Sequence, residues 1–407
     1  MERADPAEHG FDPDRLARID RFLGARYVEP GLLPGTQLLV ARDGVPVHLS
    51  TQGVMRGDGA APLREDTIFR IASMTKPITS IAFMLLLEEG LVALDTPVGD
   101  VLPELGGAGV YDGGGGGAPF RSRPPDRPML MIDLLRHTSG LTYDFQYRTN
   151  VDAAYRHRKL LTLRDAHTLD EFAAELGSLP LEFSPGQAWN YSVSTDMLGL
   201  AVQRLSGMKF EAFLDARIFA PLGMVDTAFH VPEEKRHRFS DCWRFDPRQG
   251  TILYDRAEAS SWAEPPVFVS GGGGLVSTAA DYHRFCRMLL GGGELEGTRL
   301  IGRKTLELMT RNHLPGGADL TELSRSMFSE AAYAGQGFGL GFGVNLDPAR
   351  AMLPGSAGDF YWGGLFSTFF FVDPVERIHM VFMTQLMPSS TYQVRRQLRT
   401  MIYAALT

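Results

Sequence analysis

Hydrophobic and polar positions give both ends of the chain the pattern of strands. Residues 37–50, QLLVARDGVPVHLS, form two short apolar runs around Asp43-Gly44, which predicts a β-hairpin. After Gly337, the runs GFGLGFGVN, LFSTFFFVDP and IHMVFMTQL are aromatic and β-branched and are separated by turn residues. These runs predict antiparallel strands, and a helix over TYQVRRQLRTMIYAAL is expected to close the chain.

The middle of the chain has the pattern of helices. A helix is predicted over residues 73–90, with Ser73 at its start, Pro77 in an early turn and Gly90 as its stop. Further helices are predicted over residues 129–136, 169–176, 194–205 and the stretch that follows the glycine-rich turn 271–274.

Strands at both ends with helices between them predict an α/β fold of the α+β type. We expect a discontinuous sheet domain from residues 1–100 and 265–407, and a mainly helical insertion over 101–264. Segment 105–128 is rich in Gly, Pro and Arg, which predicts a loop or a crossing between subdomains. Its glycine run, residues 113–117, has no G-x-G-x-x-G spacing, so no nucleotide loop is expected.

Composition and net charge argue against nucleic acid and membranes as partners. The chain has 407 residues, of which 44% are hydrophobic and 22% charged, as in ordinary globular proteins. With 40 basic and 48 acidic residues the formal net charge is −8, which gives no electrostatic reason to expect nucleic acid or an anionic membrane as a partner. We expect a small-molecule substrate instead, and nothing in the sequence determines the oligomeric state.

The termini, cysteines and histidines predict a chain without membrane segment, disulfide or metal. The N-terminal stretch MERADPAEHGFDPDRL has no apolar core of the kind a secretory signal needs, so we expect a cytoplasmic protein. Cys242 and Cys286 are too few for a disulfide framework and are expected to be reduced thiols. The ten histidines include no H-E-x-x-H, and we predict no metal and no cofactor.

The sharpest chemical motif is Ser73-Met74-Thr75-Lys76, an S-x-x-K sequence of the kind found in serine enzymes of the penicillin-binding type. At a helix start, positions i and i+3 share a face, so Ser73 Oγ and Lys76 Nζ can meet. The positive helix terminus favours a developing alkoxide and pushes the lysine toward its neutral form. The alternative is a helix-capping serine beside a surface lysine.

The same motif occurs a second time, at Ser206-Gly207-Met208-Lys209. There it follows a predicted helix end, and Gly207 has the character of a helix C-cap. Its serine and lysine would not share a helical face, so we interpret this second match as chance.

Two further segments supply candidate partners for the first motif. Tyr191-Ser192 lies between a loop, FSPGQAWN, and a predicted helix, where a phenol near a lysine can relay a proton; the alternative is a tyrosine packed under the loop. The segment YWGGL, residues 361–365, precedes a strand, and its Gly-Gly pair lets the backbone approach a ligand and offer a second oxyanion N–H beside that of Ser73. The alternative is a glycine-rich turn beside a buried tryptophan.

Two residues near these segments are interpreted as structural. His137 and the nearby Ser139 invite a serine–histidine interpretation, but no G-x-S-x-G turn surrounds any serine in the chain, so His137 is expected to cap or brace a helix end. Asp196, on the helix after Tyr191, is expected to be a capping or structural residue and not a catalytic acid.

Together the motifs resemble the class C serine β-lactamase family, in its esterase branch (family VIII carboxylesterases). The matching segments cover nearly the whole chain: IFRIASMTKPITSIAFMLLLEEGLVALDTPV, LLRHTSGLTY, FSPGQAWNYSVSTDMLG, GGGGLVSTAADYHRF, FGLGFGV and YWGG. The resemblance implies a β-lactamase/penicillin-binding-protein-like fold, with a central antiparallel sheet flanked by helices and a mainly helical region.

The resemblance also implies roles for individual residues. Ser73 would be the acylated nucleophile, and Lys76 with Tyr191 its general-base pair. The backbone N–H groups of Ser73 and Leu365 would form the oxyanion hole. Substrate binding would fall to the residues that wall the acyl pocket and the strand end beside it: Trp362, Gly363, Gly364 and Tyr143.

Departures from the lactamase branch point toward neutral esters. That branch carries Tyr-x-Asn, whereas Tyr191-Ser192-Val193 places valine at the third position. It also carries Lys-Thr-Gly, whereas Trp362-Gly363-Gly364 stands here and offers no cation for an antibiotic carboxylate. We therefore predict a carboxylesterase. The alternatives are an acyltransferase, a peptidase or β-lactamase with weak cephalosporin-type activity, and an inactive binding protein of the same fold.

Overall fold

A computed structural model gives the fold of the chain and describes residues 1–57, 59, 61–161, 167–325 and 334–407. Its α-helices are, in chain order, α1 Pro13–Leu23, α2 Thr75–Glu88, α3 Val98–Val101, α4 Pro103–Gly106, α5 Met131–Leu135, α6 Asn150–His157, α7 Leu169–Gly177, α8 Ser194–Ser206, α9 Phe210–Leu214, α10 Ala220–Leu222, α11 Ala279–Leu290, α12 Arg303–Met309, α13 Leu320–Leu323, α14 Pro348–Ala351 and α15 Val394–Tyr403. Its β-strands are β1 Gly35–Arg42, β2 Val45–Gly53, β3 Phe69–Arg70, β4 Val110–Gly115, β5 Ala118–Arg123, β6 Cys242–Asp246, β7 Gly250–Asp255, β8 Val276–Ser277, β9 Glu294–Leu295, β10 Thr298–Arg299, β11 Gln336–Phe338, β12 Gly343–Asn345, β13 Phe360–Gly363, β14 Phe369–Asp373, β15 Ile378–Met383 and β16 Leu386–Met387.

The central sheet has seven antiparallel strands in the order β11-β12-β13-β14-β15-β1-β2. Two of its strands come from the front of the chain and five from its last quarter. The sheet is therefore built from both ends of the chain, as the hydrophobic pattern predicts. The proposed boundaries, residues 1–100 with 265–407 around 101–264, stay a prediction.

The first hairpin forms where the sequence places it. β1 and β2 pair up to Arg42 and Val45, and the two residues between them, Asp43 and Gly44, have φ of 52° and 78°. Positive φ at both central residues is the turn that matches the twist of paired strands, and Asp-Gly adopts it readily. The hairpin prediction is confirmed.

Alternating side chains of β1 divide the interior into two layers. Leu38 and Val40 pack on one face with the helices α1 and α15, and Leu39 and Ala41 pack on the other with α2 and α8. Successive residues of a strand point to opposite faces, so the part of a strand that is covered on both sides forms a nearly continuous apolar run. Full burial of one such leucine or valine side chain contributes roughly 1.5–3 kcal/mol.

The helices predicted in the middle of the chain are present, and one other expectation there is wrong. Predicted helices 129–136, 169–176 and 194–205 correspond to α5, α7 and α8. Segment 105–128, expected to be a loop or a crossing between subdomains, instead contains the exposed hairpin β4–β5. Gly113 to Gly117 all have positive φ in and around its turn, a conformation that the strand propensities of the sequence do not signal.

A second unpredicted sheet lies in the middle of the chain. β6 and β7 form an antiparallel hairpin, and the short β16 adds to β6 in parallel. These strands, CWRFD and GTILYD, do not alternate regularly between apolar and polar residues, so the sequence does not predict them. Among its described residues, the chain between the two parts of the central sheet is thus mainly helical, with the hairpins β4–β5, β6–β7 and β9–β10 and the short pair β3–β8 added.

The two cysteines lie in the interior as unpaired thiols. Cys242 and Cys286 are both free and buried, and burial raises the pKa of the Cys242 thiol to about 12. In the parts of the chain that the structure describes, no helix combines the length and the apolar character needed to span a bilayer.

Candidate active site

The candidate nucleophile lies in a tight turn ahead of α2. Ala72–Met74 form one turn of 3₁₀ helix, with Ala72 at a φ of 43°, and α2 begins at Thr75. The expectation that Ser73 starts the helix is therefore corrected. The N-cap position belongs to Met74, which makes no side-chain cap, so the Ser73 hydroxyl is not used in capping.

Lys76 is buried against the Ser73 hydroxyl. The lysine is 1% exposed, and its Nζ lies 3.1 Å from Ser73 Oγ, 3.0 Å from the Tyr143 hydroxyl and 2.6 Å from the Gly272 carbonyl oxygen. A buried lysine needs such partners because the loss of hydration of an ammonium is costly. The alternative of a capping serine beside a surface lysine is wrong for this pair.

Hydrogen-bond capacity limits what the Lys76 amine can do. An ammonium donates three hydrogen bonds and accepts none. A neutral amine donates two and accepts one. The Gly272 carbonyl can only accept, so it takes one N–H of the lysine, whereas the hydroxyl groups of Ser73 and Tyr143 can each donate to the lone pair of a neutral amine.

A glycine-rich segment supplies the third partner of the lysine and is itself held by Asp196. The Asp196 carboxylate accepts from the Gly272 N–H at 2.9 Å and from the Ser270 hydroxyl at 2.5 Å. Burial raises the pKa of Asp196, while the nearby Lys76 charge opposes that rise. Asp196 thus holds the backbone of Gly272, the residue whose carbonyl accepts from Lys76, in keeping with the structural role expected for it.

Tyr191 lies at the junction predicted for it, just before α8. It is 1% exposed, its hydroxyl accepts from Trp362 Nε1 at 3.4 Å, and Lys76 Nζ lies 4.5 Å from the centre of its ring. Gln146 Nε2 donates to the Tyr191 carbonyl at 3.1 Å and holds the backbone. The structure therefore brings Ser73, Lys76 and Tyr191 together.

Tyr143 is a second phenol on the lysine, a contact that the sequence does not indicate. The resemblance implies that its ring walls the acyl pocket, and the structure places its hydroxyl on Lys76 Nζ. Burial raises the pKa of Tyr143 well above 10, and Asp196 and Tyr191 add to the effect, so the phenol is neutral. Its ring stacks on Phe145 at 4.7 Å, and Phe145 is 42% exposed.

The end of β13 lies directly against the nucleophile turn. A Cβ at Gly364 would come within 2.3 Å of the Ile71 carbonyl oxygen and of Thr368 Oγ1, so only glycine allows this approach. A tight turn follows, closed by the Gly364 N–H on the Thr368 carbonyl at 2.9 Å. Leu365 in this turn is 38% exposed, and its N–H donates to no group among the described residues.

Trp362 lies behind Tyr191. The tryptophan is fully buried, and its ring centre is 5.5 Å from that of Tyr191. In this position it orients the phenol through its indole N–H. Direct contact of Trp362 with substrate stays a prediction, as do the substrate contacts of Gly363 and Gly364.

His137 braces the loop that carries Tyr191. It is buried just after α5 with a φ of 58°, and its Nδ1 lies 3.3 Å from Ser192 Oγ. Burial, together with the charge of Lys76, lowers the pKa of His137 well below 6.5, which leaves the ring neutral. The Ser139 hydroxyl pairs with Ser194 Oγ at 2.7 Å, so it is engaged away from His137.

Comparisons with known proteins bear on the family and the fold of the chain. The beta-lactamase family matches residues 25–404. Protein Rv1367c of Mycobacterium tuberculosis is 35% identical over 364 residues, 88% of each chain, and esterase EstB of Burkholderia gladioli is 32% identical over 403 residues, 93% of each chain. The structure of EstCE1, a hydrolase with promiscuous acyltransferase activity, superposes with a TM-score of 0.78 at 23% identity and covers 96% of this chain and 99% of its own.

The structural match, at that identity, shows a common fold. The family match spans the central sheet, the nucleophile turn and the glycine-rich segment alike. The chain therefore belongs to the beta-lactamase family, in its class C-like esterase branch.

Proposed function

We propose that the protein cleaves carboxylic esters through an acyl-enzyme on Ser73. The observation that carries the proposal is the buried contact of 3.1 Å between Lys76 Nζ and Ser73 Oγ, the latter in a strained turn and not used in capping. A buried amine on a serine hydroxyl is the arrangement by which a weak nucleophile is activated. The similarity to EstB, an esterase, supports the same reaction class.

In the proposed acylation step, Ser73 Oγ attacks the ester carbonyl carbon as its proton passes to the Lys76/Tyr191 pair. The lone pair of a neutral Lys76 amine can take up that proton from Ser73 Oγ at 3.1 Å, while Gly272 and Tyr143 lie within hydrogen-bond distance of the same nitrogen. Tyr191 then hands the proton to the leaving alcohol as the carbon–oxygen bond breaks.

The negative charge of the tetrahedral intermediate rests on backbone N–H groups. We assign the Ser73 and Leu365 N–H groups to this role, since the turn after β13 packs closely on the nucleophile turn at Gly364. Preorganised donors of this kind contribute about 10²–10³-fold to kcat each. Water resolves the acyl-enzyme by the same steps in reverse, with its proton accepted by the Lys76/Tyr191 pair.

The surroundings of Ser73 favour neutral esters over charged β-lactams. Apolar side chains pack on its neighbours: Phe145 stacks on Tyr143, and Phe366 packs against Ala72. Val193 is buried at the position where the lactamase branch carries an asparagine amide. An apolar wall suits an uncharged acyl or alcohol group.

The test is turnover of p-nitrophenyl acetate, butyrate and octanoate beside nitrocefin, for the wild type, Ser73→Ala and Ser206→Ala. We expect ester turnover that is lost in Ser73→Ala and retained in Ser206→Ala, with little nitrocefin cleavage. Dominant nitrocefin cleavage would instead assign a β-lactamase. Unchanged ester turnover in Ser73→Ala would refute the proposed nucleophile.

Acyl transfer is the second candidate, because EstCE1, which shares the fold, combines hydrolysis with acyltransferase activity. An alcohol in place of water would then resolve the acyl-enzyme. Product analysis with increasing 1-butanol separates the two: a constant yield of free acid indicates a hydrolase, and an ester product that rises in proportion to alcohol at constant acyl-enzyme formation indicates a transferase.

A further inference from the structure

The C-terminal helix reaches the turn that carries the proposed oxyanion donor. Arg395, at the start of α15, donates from Nη2 to the Gly364 carbonyl at 2.6 Å and to the Thr368 carbonyl at 2.8 Å. Its guanidinium also lies over the Phe369 ring at 5.6 Å. One half-buried cation thus holds both ends of the Gly364–Thr368 turn.

The carbonyl of Gly364 and the N–H of Leu365 belong to one planar peptide. In a trans peptide these two groups point in opposite directions, so a donor fixed on the carbonyl also fixes the direction of the N–H. A cationic donor on the carbonyl further polarises the peptide and makes its N–H a better donor. The Leu365 N–H donates to no other group among the described residues.

The turn is shaped to admit this contact. A Cβ at Gly363 would lie 2.7 Å from the guanidinium carbon of Arg395, so any side chain there would displace the arginine. The Gly364 carbonyl also accepts from the Ser367 N–H at 3.0 Å, which leaves Arg395 as its second, charged donor. Gly363 therefore has a role in addition to strand pairing, since it leaves room for the cation.

We propose that Arg395 is a positioning residue that holds and polarises the Gly364–Leu365 peptide for binding of the oxyanion. The proposal rests on the proposed function. It differs from a substrate-binding role because the arginine acts through the peptide and not on the ester itself.

The experiment compares Arg395→Gln and Arg395→Lys with Arg396→Gln as the matched control. Arg396 is the next residue on the same helix, and its Nη2 donates at 3.3 Å to the Met352 carbonyl, outside the site. We expect kcat for p-nitrophenyl butyrate to fall about 10- to 100-fold in Arg395→Gln, below the loss for deletion of a whole oxyanion donor. KM should stay within about twofold, and Arg395→Lys should recover part of the loss.

Two readouts separate positioning from simple stabilisation. Affinity for a boronic acid, which forms a tetrahedral adduct on a nucleophilic serine, should fall in parallel with kcat in Arg395→Gln. The infrared carbonyl band of the acyl-enzyme should move to higher wavenumber in that variant, because the carbonyl loses polarisation. Neither should change in Arg396→Gln.

Three outcomes would overturn the proposal. They are wild-type kcat in a folded Arg395→Gln, an unchanged carbonyl band despite lower kcat, and a KM increase confined to esters that bear a carboxylate. If Arg395→Gln does not fold, the carbonyl band of Arg395→Lys decides in the same way. Failure of the proposed function itself is recognised separately, by ester turnover that persists in Ser73→Ala.

Discussion

The chain contains the S-x-x-K motif twice, and the two copies differ in whether the serine and the lysine are in contact and whether the lysine is buried. Ser73 and Lys76 are joined at 3.1 Å, with the lysine 1% exposed. At the second copy, Ser206 is the last residue of α8 and its hydroxyl donates to the Val202 carbonyl of its own helix at 2.7 Å. Gly207 turns the chain out of the helix with a φ of 68°, and Lys209 is exposed.

The difference shows that the S-x-x-K spacing alone does not bring the serine and the lysine together; the backbone conformation of the segment decides whether they meet. In the first copy, the 3₁₀ turn runs directly into α2, so the serine and lysine share a face. In the second, Gly207 and the extended Lys209, with a ψ of 142°, separate them. The two lysines also differ in environment: Lys76 is buried among polar partners, and burial favours its neutral form, whereas Lys209 is exposed to solvent.

The largest expected effect is loss of the first serine. Ser73→Ala should lower kcat/KM for p-nitrophenyl butyrate by about 10⁴-fold or more, since covalent catalysis needs the hydroxyl. Ser206→Ala should leave it unchanged. Steady-state kinetics with melting temperatures for both variants measure this, and equal losses in both would contradict the assigned difference between the motifs.

Next in size is loss of the first lysine. Lys76→Met should lower kcat/KM by about 10²–10⁴-fold, the usual contribution of a general base. Lys209→Met removes an exposed lysine and should change neither turnover nor the free energy of unfolding by more than about 0.5 kcal/mol. Retained turnover in a folded Lys76→Met variant would assign proton transfer to another group.

The two phenols beside Lys76 provide a sharper test of the first region. Tyr191→Phe should lower kcat/KM by about 10²-fold or more, because the proposed proton relay is lost. Tyr143→Phe should cost about tenfold or less, as expected for one hydrogen bond to the lysine. Kinetics of both variants at several pH values measure the effect, and the reverse order would make Tyr143 the relay.

The smallest effect concerns the helix end of the second region. Gly207→Ala places a Cβ at a positive φ where no atom lies within 4 Å, so only the backbone conformation opposes it. The free energy of unfolding should fall by about 1–2 kcal/mol with unchanged turnover. Urea unfolding followed by circular dichroism measures this free energy. Loss of ester turnover in Gly207→Ala would contradict the assignment of the second motif to a region outside the active site.

Local signals made part of the fold predictable. Asp43-Gly44 is a two-residue turn signal in itself. The aromatic strands near the C-terminus are buried at every position and largely apolar, because both of their faces are covered. The hairpin β4–β5 escapes prediction because its glycines have positive φ and carry no strand propensity.

Site residues that lie close together in the sequence could be predicted from their spacing. Contacts between distant residues, and contacts made by backbone atoms, could not. Ser73 and Lys76 are three positions apart, so helical geometry brings them together. The Gly272 carbonyl that accepts from the lysine lies 196 positions away, and Tyr143 lies 67 positions away. Only the tertiary fold joins such groups, and a glycine run does not show which carbonyl will face the lysine.

The most direct measurement is covalent labelling with a fluorophosphonate probe, followed by intact mass and peptide mapping. The account predicts one phosphonyl group per chain, with loss of fluoride, on the peptide that contains Ser73. It also predicts no label on Ser206 and no labelling in Ser73→Ala. A stoichiometric label on any other serine, or ester turnover that survives full labelling, would contradict it.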